Sequence, residues 1–323
     1  MKRRRFLRST GTLAAASVLP QMEVLGWLGT KNKPLLLKDI GLQLFSVPLL
    51  MEKDFTQGIG MLAEMGFRKL ELYGPYTFSA SSAKERWKSL APRLGFSGSG
   101  FYGHSVTDLK SIIDQHGMSI PALHTDLETL ENHMEDLAKA SETLNFDYVI
   151  LPALPAENRK NMDDYKRTAD LFNAIGRRAS ELGIKFAYHN HGYGLNETEG
   201  QIPLQYLIEH TEKDWVYFEM DLFWTTAGGA DPLDYLSKYP GRYKLMHVKD
   251  MTEQRRFSGD GGDPSQWMEL FPVMCSAGDG VLDLEAIIPA AIESGVKHFI
   301  VEQDMVKQPE IALQKSIDYL SSI

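Results

Sequence analysis

The chain has 323 residues, of which 43% are hydrophobic and 24% are charged, and its formal net charge is −9. An acidic chain whose lysines and arginines form no basic face beyond the first residues is not expected to bind nucleic acid. The single cysteine, Cys275, excludes an internal disulfide and a four-cysteine zinc site, whereas the length suits one α/β barrel domain.

The first residues have the order of an export signal. A dense basic run over residues 2–8 precedes a weakly apolar run over residues 10–19, which is too short to span a bilayer. The segment Arg3-Arg4-Arg5-Phe6-Leu7 resembles a twin-arginine signal. We therefore predict that residues 1–35 are an export signal and linker, and that residues 36–323 form a periplasmic catalytic domain with no stable membrane insertion after cleavage.

From Asp39 onward, short β-rich runs alternate with amphipathic helical patterns. Glycines end several of the helical patterns, as at Gly66, Gly117 and Gly183, and Asp231-Pro232 is a typical helix start. The predicted strands are residues 40–46, 69–73, 120–124, 148–151, 185–189, 216–221, 243–248 and 298–302. The predicted helices are residues 56–65, 106–116, 127–144, 162–182 and 204–210, one that begins at 231, and 310–320.

Eight strands that alternate with helices in one domain predict a closed, parallel (β/α)8 barrel. An open doubly wound sheet is the alternative, but it would usually carry a glycine-rich turn after the first strand, and this sequence has none there. Two long connections, residues 75–104 and 251–280, follow predicted strands and therefore lie at the catalytic face. Long loops in a compact domain are typical of functional lids.

Polar residues gather where the predicted strands end, which is where barrel enzymes carry their catalytic groups. Ionisable groups on apolar strands are costly to bury unless they are paired or bound to metal. A mixed oxygen and nitrogen set suits one divalent ion such as Mn, Fe, Co or Zn, and two carboxylates would neutralise its charge. The predicted ligands are His189, Asp221, His247 and Glu302. Glu219 lies two residues before Asp221, and for it a structural ion pair is the favoured interpretation.

Several ordered motifs resemble those of the sugar phosphate isomerase/epimerase family, the xylose-isomerase-like barrels. The resemblance runs from Asp39 to the C-terminus. It rests on Gly41-Leu42-Gln43-Leu44-Phe45-Ser46, Tyr188-His189-Asn190-His191, Met220-Asp221-Leu222-Phe223-Trp224, Met246-His247-Val248-Lys249-Asp250, Gly278-Asp279-Gly280-Val281-Leu282-Asp283 and Val301-Glu302-Gln303-Asp304.

The resemblance implies that strands five to eight hold the metal, through the same four ligands. In the family's ketose epimerases the strand-five ligand is a glutamate, which moves protons together with the strand-eight glutamate. Strand five offers His189 here, so that Glu302 as a base would need His191, Glu71, Lys249 or a metal-bound water as its partner. His191 is also an alternative to His189 as the strand-five ligand.

Three functions fit these residues. The first is a sugar isomerase or epimerase, in which the metal stabilises an enediolate while Glu302 moves the proton. The second is a metal-assisted lyase, hydratase or hydrolase acting on keto-sugars or 3-keto-glycosides, which the export signal favours because phosphorylated sugars are scarce outside the cytoplasm. The third is a non-catalytic carbohydrate-binding protein. The expected ligand in each case is a small sugar or sugar derivative, and the residues predicted to bind it are His124, Asn190, Trp224 and Lys249.

Overall fold

The strands of the protein form a closed parallel barrel and one small hairpin. A computed structural model describes residues 37–323, so the predicted signal and linker over residues 1–35 lie outside the described residues. The strands are β1 (Gly41–Gln43), β2 (Lys69–Tyr73), β3 (Ser119–His124), β4 (Tyr148–Leu151), β5 (Lys185–His189), β6 (Val216–Asp221), β7 (Tyr243–Val248), β8 (Asp250–Met251), β9 (Met274–Cys275) and β10 (His298–Val301). The predicted (β/α)8 barrel is thereby confirmed.

The barrel closes because β1 pairs with both β2 and β10. Gly41 is in register with Lys69 on one side and with Ile300 on the other. Around the barrel the strand order is β1-β10-β7-β6-β5-β4-β3-β2. The short strands β8 and β9 pair antiparallel outside this barrel. The four strands predicted to hold the metal, β5, β6, β7 and β10, are therefore consecutive neighbours.

Helices surround the barrel, and most of them bury one face against it. They are α1 (Pro48–Lys53), α2 (Phe55–Met65), α3 (Ser81–Leu94), α4 (Val106–Gln115), α5 (Leu127–Asn132), α6 (Met134–Leu144), α7 (Met162–Glu181), α8 (Pro203–Glu209), α9 (Leu222–Ala227), α10 (Pro232–Lys238), α11 (Pro264–Leu270), α12 (Leu284–Ser294) and α13 (Pro309–Leu320). Along α7, Tyr165, Ala169, Phe172, Ile175 and Ala179 are buried in one stripe, as helical periodicity requires. Across residues 37–323, no helix has both the length and the apolar character needed to cross a membrane.

Three predicted boundaries differ from the structure for local reasons. The first strand ends at Gln43, because the side chain of Gln43 accepts a hydrogen bond from the backbone of Phe45 and begins a 3-10 turn. The helix predicted over residues 127–144 is divided at His133, whose ψ of 28° and φ of −131° interrupt the helix between α5 and α6. The connection over residues 75–104 contains α3, which the predicted elements omit although Ala83, Trp87, Leu90 and Leu94 recur at helical spacing along its half-buried face.

The segment over residues 251–280 is fastened to the barrel at both ends by Asp250. The carboxylate of Asp250 accepts hydrogen bonds from the backbone N–H groups of Met251, Gly278, Gly280 and Leu282, at 2.8 to 3.1 Å. A Cβ atom at Gly280 would lie 2.1 Å from Oδ1 of Asp250, so only glycine permits this close approach. We call this segment the lid.

Candidate metal centre

Four side chains converge at the C-terminal end of the barrel. One ligand atom from each lies within 4.8 Å of all the others. Nδ1 of His247 is 2.8 Å from Oε2 of Glu302 and 3.7 Å from Oδ2 of Asp221. Nε2 of His189 is 3.4 Å from the same Asp221 oxygen. The four residues, which we call the upper group, are buried, and they are the four that the sequence predicted.

Strand register explains why the upper group assembles. Asp221 is directly opposite His247 on the neighbouring strand, and His189 is opposite Glu219, two residues before Asp221. Side chains two residues apart on a strand point to the same face. Glu302 follows β10 immediately, next to the end of β7. The ends of four adjacent strands thus direct their side chains to one point.

Three ligand atoms of the upper group are buried and make no hydrogen bond of acceptable geometry with the described residues: Nε2 of His189, Oδ2 of Asp221 and Nδ1 of His247. Two of them still have a charged neighbour, because Nδ1 of His247 lies 2.8 Å from Glu302 and Oδ2 of Asp221 lies 3.1 Å from Lys249. The second polar atom of His189 and that of Asp221 each make a hydrogen bond with the backbone. Nδ1 of His189 donates to the carbonyl of Pro152 at 3.3 Å, and Oδ1 of Asp221 caps α9 by accepting from the backbone of Trp224 at 2.8 Å. An unsatisfied buried polar atom costs about 1–3 kcal/mol. Three of them around one point fit a divalent ion, for which these donors are suitable ligands.

A second set of polar groups lies beneath the first and shares His247 with it. Nε2 of His247 is 2.6 Å from Oε2 of Glu71, and Nε2 of His124 is 3.0 Å from Glu71 and 2.9 Å from Glu219. Gln43 donates to Glu71 at 2.7 Å. We call Glu71, His124 and Glu219 the lower layer. It contains the structural ion pair expected for Glu219, formed with His124. It also contacts His247 through Glu71, on the side of the imidazole that faces away from the upper group.

The charges of the lower layer stabilise one another. Burial lowers the pKa of His124, but the carboxylates of Glu71 and Glu219 outweigh burial and raise that pKa to about 9. Burial raises the pKa of Glu71, whereas His124 and His247 reverse the effect and hold it well below its ordinary value. For Glu219, burial and the neighbouring Glu71 raise the pKa. The layer therefore carries ionised imidazole and carboxylate in contact.

Lys249 connects three carboxylates at the rim of the upper group. Its Nζ atom lies 3.1 Å from Asp221, 2.6 Å from Glu302 and 2.8 Å from Asp304, and 4.8 Å from the centre of the Trp224 ring. Burial lowers the pKa of Lys249, but the three carboxylates raise it well above its ordinary value. Burial raises the pKa of Glu302, and Lys249 and His247 more than reverse this. The sequence prediction did not include Asp304; its position two residues after Glu302 was the available signal.

His191 belongs to the wall of the site. Its ring stacks on Trp267 of the lid with centroids 4.1 Å apart, and on Trp224 at 5.7 Å. It is in neither of the groups that could hold a metal, whereas His189 is in the upper group. The geometry thus favours His189 over His191 as the strand-five ligand. Nδ1 of His191 is buried and has no hydrogen-bond partner among the described residues.

Two residues predicted to bind substrate have their polar atoms engaged elsewhere. The side chain of Asn190 donates to Thr225 at 3.0 Å and accepts from the backbone of Asp221 at 3.3 Å. His124 lies in the lower layer between two carboxylates, and Glu71, predicted as a partner base, lies there too with no exposed surface. These contacts suit residues that position the ligands, and direct contact of these three residues with a substrate stays a prediction.

Comparisons with known proteins agree with this architecture. Residues 59–323 match the family model of the xylose isomerase-like TIM barrel. An inosose dehydratase from Lacticaseibacillus casei is 31% identical over 150 residues, which are 45% of this chain and 49% of that protein. The chain thus spans about half the length of the curated relatives that it matches first.

Solved structures of other proteins share the fold. A sugar phosphate isomerase/epimerase from Parabacteroides distasonis has a TM-score of 0.67 and 24% identity, covering 88% of this chain and 94% of that chain. The IolI protein with a binding zinc atom has a TM-score of 0.59 and 16% identity, covering 87% of this chain and 95% of that chain. Because the family model covers most of its length, the chain belongs to the xylose isomerase-like TIM barrel family.

Proposed function

We propose that this protein is a metal-dependent lyase that acts on a sugar-type ketone. One observation supports the metal dependence: four buried ligand atoms converge within 4.8 Å at the C-terminal end of the barrel, and three of them make no well-formed hydrogen bond with the described residues. The sugar-type substrate is supported by the names of the relatives, inosose dehydratase and sugar phosphate isomerase/epimerase. The zinc atom of the IolI protein supports a divalent ion in this fold.

His189, Asp221, His247 and Glu302 would hold the ion, which would polarise the substrate carbonyl and acidify the adjacent C–H bond. Glu302 is the carboxylate base, and contact with Lys249 at 2.6 Å keeps it ionised and oriented. Lys249 is the proton donor closest to that base. The rings of Trp224, Trp267 and His191 form an apolar wall suited to the C–H face of a sugar ring.

In the proposed elimination, the C–H bond next to the carbonyl breaks and its proton passes to Glu302. The electron pair of that C–H bond forms a new C=C bond to the next carbon away from the carbonyl. The C–O bond on that next carbon breaks. The leaving oxygen takes a proton from Lys249. The products are an unsaturated ketone and water, or an alcohol if the leaving oxygen carries a second group. Proton transfer from Glu302 back to Lys249 restores the starting state, so no external oxidant or reductant is needed.

Elimination is favoured over epimerisation because strand five supplies His189. The Nδ1 atom of His189 is engaged with the carbonyl of Pro152, and its Nε2 atom faces the upper group. Glu302 is therefore the single glutamate of the upper group, and one base is sufficient for elimination. Epimerisation needs a second group that returns a proton from the opposite face.

An isomerase or epimerase is the second candidate. It is favoured by the unpartnered Nδ1 atom of His191, a second nitrogen that can carry a proton beside the metal ligands. In this reaction Glu302 would remove the proton and His191 would return one to the other face. The substrate and product would then have the same mass.

The decisive experiment combines metal analysis with a reaction in D2O. We expect about one equivalent of divalent metal in the purified protein, and its loss in Asp221→Asn, which keeps the cap oxygen on α9. The metal-loaded protein is then incubated with inosose, a 3-keto-glucoside and simple ketoses. Loss of water or an alcohol by mass spectrometry supports the lyase, and deuterium incorporation without loss supports the epimerase. A wild type that binds no added metal would overturn both and favour a carbohydrate-binding protein.

Export to the periplasm by the twin-arginine route is a separate proposal, supported by the basic and apolar runs of residues 1–19. Replacing Arg4 and Arg5 together by lysine keeps the charge but removes the arginine pair. We expect this variant to remain in the cytoplasmic fraction, while the wild-type chain reaches the periplasm. Equal distribution of both chains would contradict the proposal.

A further inference from the structure

The end of the barrel opposite the metal centre contains a basic cavity. Its volume is about 370 Å³, and it opens between the N-terminal ends of neighbouring strands. Five cationic side chains line it: Lys185, Lys213, Arg242, Lys244 and Lys297. The rings of Tyr148 and Tyr217 complete the wall. This concentration of positive charge contrasts with the net charge of −9 of the whole chain, and it was not expected from the sequence, in which the five cations are spread over separate segments.

The topology of the barrel brings these cations together. Lys185 is the first residue of β5, and Lys244 is the second residue of β7. Lys213 precedes β6, and Lys297 immediately precedes β10. Because β5, β6, β7 and β10 are consecutive in the barrel, their N-terminal ends form one arc. The backbone N–H of Lys297 donates to the carbonyl of Lys244 at 2.8 Å, which fixes these two residues side by side.

The positive charge of the cavity is only partly balanced by the protein around it. Asp214 is the one carboxylate in the wall, and Lys185 is paired with Asp147 at 3.3 Å. Within residues 37–323, no ion pair involves Lys213, Lys244 or Lys297.

Arg242, which lines the cavity, is held mainly by the protein itself. Its terminal nitrogens donate to Thr211 at 2.8 Å and to the carbonyl oxygens of Ile208 and Val216. Its Nε atom, however, is buried and has no hydrogen-bond partner among the described residues. Burial, together with Lys297 and Lys185, also lowers the pKa of Lys244. Like charges that lie together without a counter-charge are destabilising, and a bound anion would remove this cost.

We propose that this basal cavity binds a multiply charged oxyanion of the phosphate or sulfate type. Lysine ammonium groups bind such anions as point charges, and charge-assisted hydrogen bonds to them are among the stronger polar interactions. The anion is either free in solution or the headgroup phosphate of a lipid. The site lies at the opposite end of the barrel from the metal centre, so the proposal does not depend on the proposed reaction.

The test compares the full-length chain with two double variants. Lys244→Gln combined with Lys297→Gln removes two charges from the cavity. Lys88→Gln combined with Lys139→Gln removes the same charge from exposed positions on α3 and α6 and is the matched control. Inorganic phosphate is titrated calorimetrically against each protein, with chloride at equal ionic strength as the reference because salt screens exposed charges. Vesicles of phosphatidylglycerol, compared with phosphatidylcholine, test the lipid source by cosedimentation.

We expect the wild type and the control to bind equally, and the cavity variant to bind about tenfold more weakly or worse. A response to phosphate alone assigns a free anion, and a response to anionic vesicles alone assigns a lipid headgroup. Without ligand, the cavity variant should melt no lower than the wild type because its substitutions relieve repulsion. If the double variant melts lower than the wild type, the binding comparison is repeated with Lys297→Gln alone. Lys297 is exposed, so this single substitution should not disturb the fold. Equal binding by all variants, or binding by none, would overturn the proposal.

Discussion

The Nε2 atom of His247 lies 2.6 Å from Oε2 of Glu71, while its Nδ1 atom faces Asp221 and Glu302. One imidazole therefore belongs to both the upper group and the lower layer. A carboxylate that accepts the Nε2 proton directs the lone pair of Nδ1 toward the upper group and increases its basicity. If the upper group binds a metal as proposed, this relationship would give the lower layer a role in metal affinity although it is closed to solvent.

Glu71→Gln should weaken metal binding about 10- to 100-fold without removing a ligand. The amide is isosteric but supplies a neutral acceptor to His247. Glu219→Gln is the matched control, because it is equally buried but lies 3.4 Å from His247, and its effect should be smaller. Competition with a metal chelator measures both. Equal losses in the two variants would mean that the layer acts only as structural support.

His189→Gln and His191→Gln separate the two strand-five histidines. We expect His189→Gln to lose the metal, because Nε2 of His189 lies in the upper group. His191→Gln should keep the metal and lose turnover, because it changes the wall that stacks on Trp267. Elemental analysis and steady-state rates give both results. The opposite pattern would make His191 the ligand and would require the lid to move.

Lys249→Met should destabilise the metal-free protein by about 3–5 kcal/mol, because it leaves buried carboxylates without their cation. Divalent metal should restore part of the loss, since Asp221 and Glu302 are also ligands. Lys315→Met, which breaks an exposed pair with Asp279 at 2.7 Å, should cost less than about 1 kcal/mol. Urea unfolding with and without chelator tests this. A small effect of Lys249→Met in chelator would contradict the assigned charge network.

The stability of the metal-free protein should depend on pH through His124. Its pKa is about 9 in the folded chain against an ordinary value of 6.5. The stabilisation that protonated His124 contributes is complete below about pH 6.5, because the folded state binds this proton more tightly than the unfolded state. It is lost as the pH rises through about 9. The difference in unfolding free energy between wild type and His124→Gln should therefore shrink over this range. A difference independent of pH would show that His124 does not titrate there.

Gly192→Ala should displace the lid from the site. A Cβ atom at Gly192 would lie 1.9 Å from the ring of Phe257, and Phe257 stacks on Trp224 at 5.5 Å. We expect a higher KM with unchanged metal content, because the four ligands lie outside this contact. Adding Phe257→Leu to Gly192→Ala shortens the clashing side chain and should recover part of the KM. A normal KM in Gly192→Ala would argue that the lid does not contribute to substrate binding.

Much of the fold could be predicted because barrel strands are marked by short apolar runs, and helices such as α7 by a continuous buried stripe. The convergence of the upper group could also be predicted, since parallel strands end at one face of a barrel. What could not be predicted were features that depend on contacts between distant segments. The interruption of the helix at His133, for example, has no glycine or proline to mark it.

The assignment of roles within the site needed geometry for the same reason. Glu71, His124 and Asn190 all occur near strand ends, where sequence alone predicts contact with a substrate. Side-chain depth distinguishes them, and depth depends on how far each strand extends toward the barrel mouth. Glu71 contacts Gln43 from β1 and His247 from β7, two partners separated from it by 28 and 176 positions in the chain. No local pattern encodes such pairings.

The four backbone hydrogen bonds that Asp250 accepts bring the two ends of the lid to one carboxylate. The intervening residues can then change in length and sequence without disturbing the strands that hold the ligands. Under the proposed function, substrate choice and the chemical step would then be encoded in separable pieces of the chain. A lid exchanged between relatives at Asp250 and Gly280 would transfer selectivity onto an unchanged catalytic barrel, which makes this pair of residues a natural graft junction for engineering.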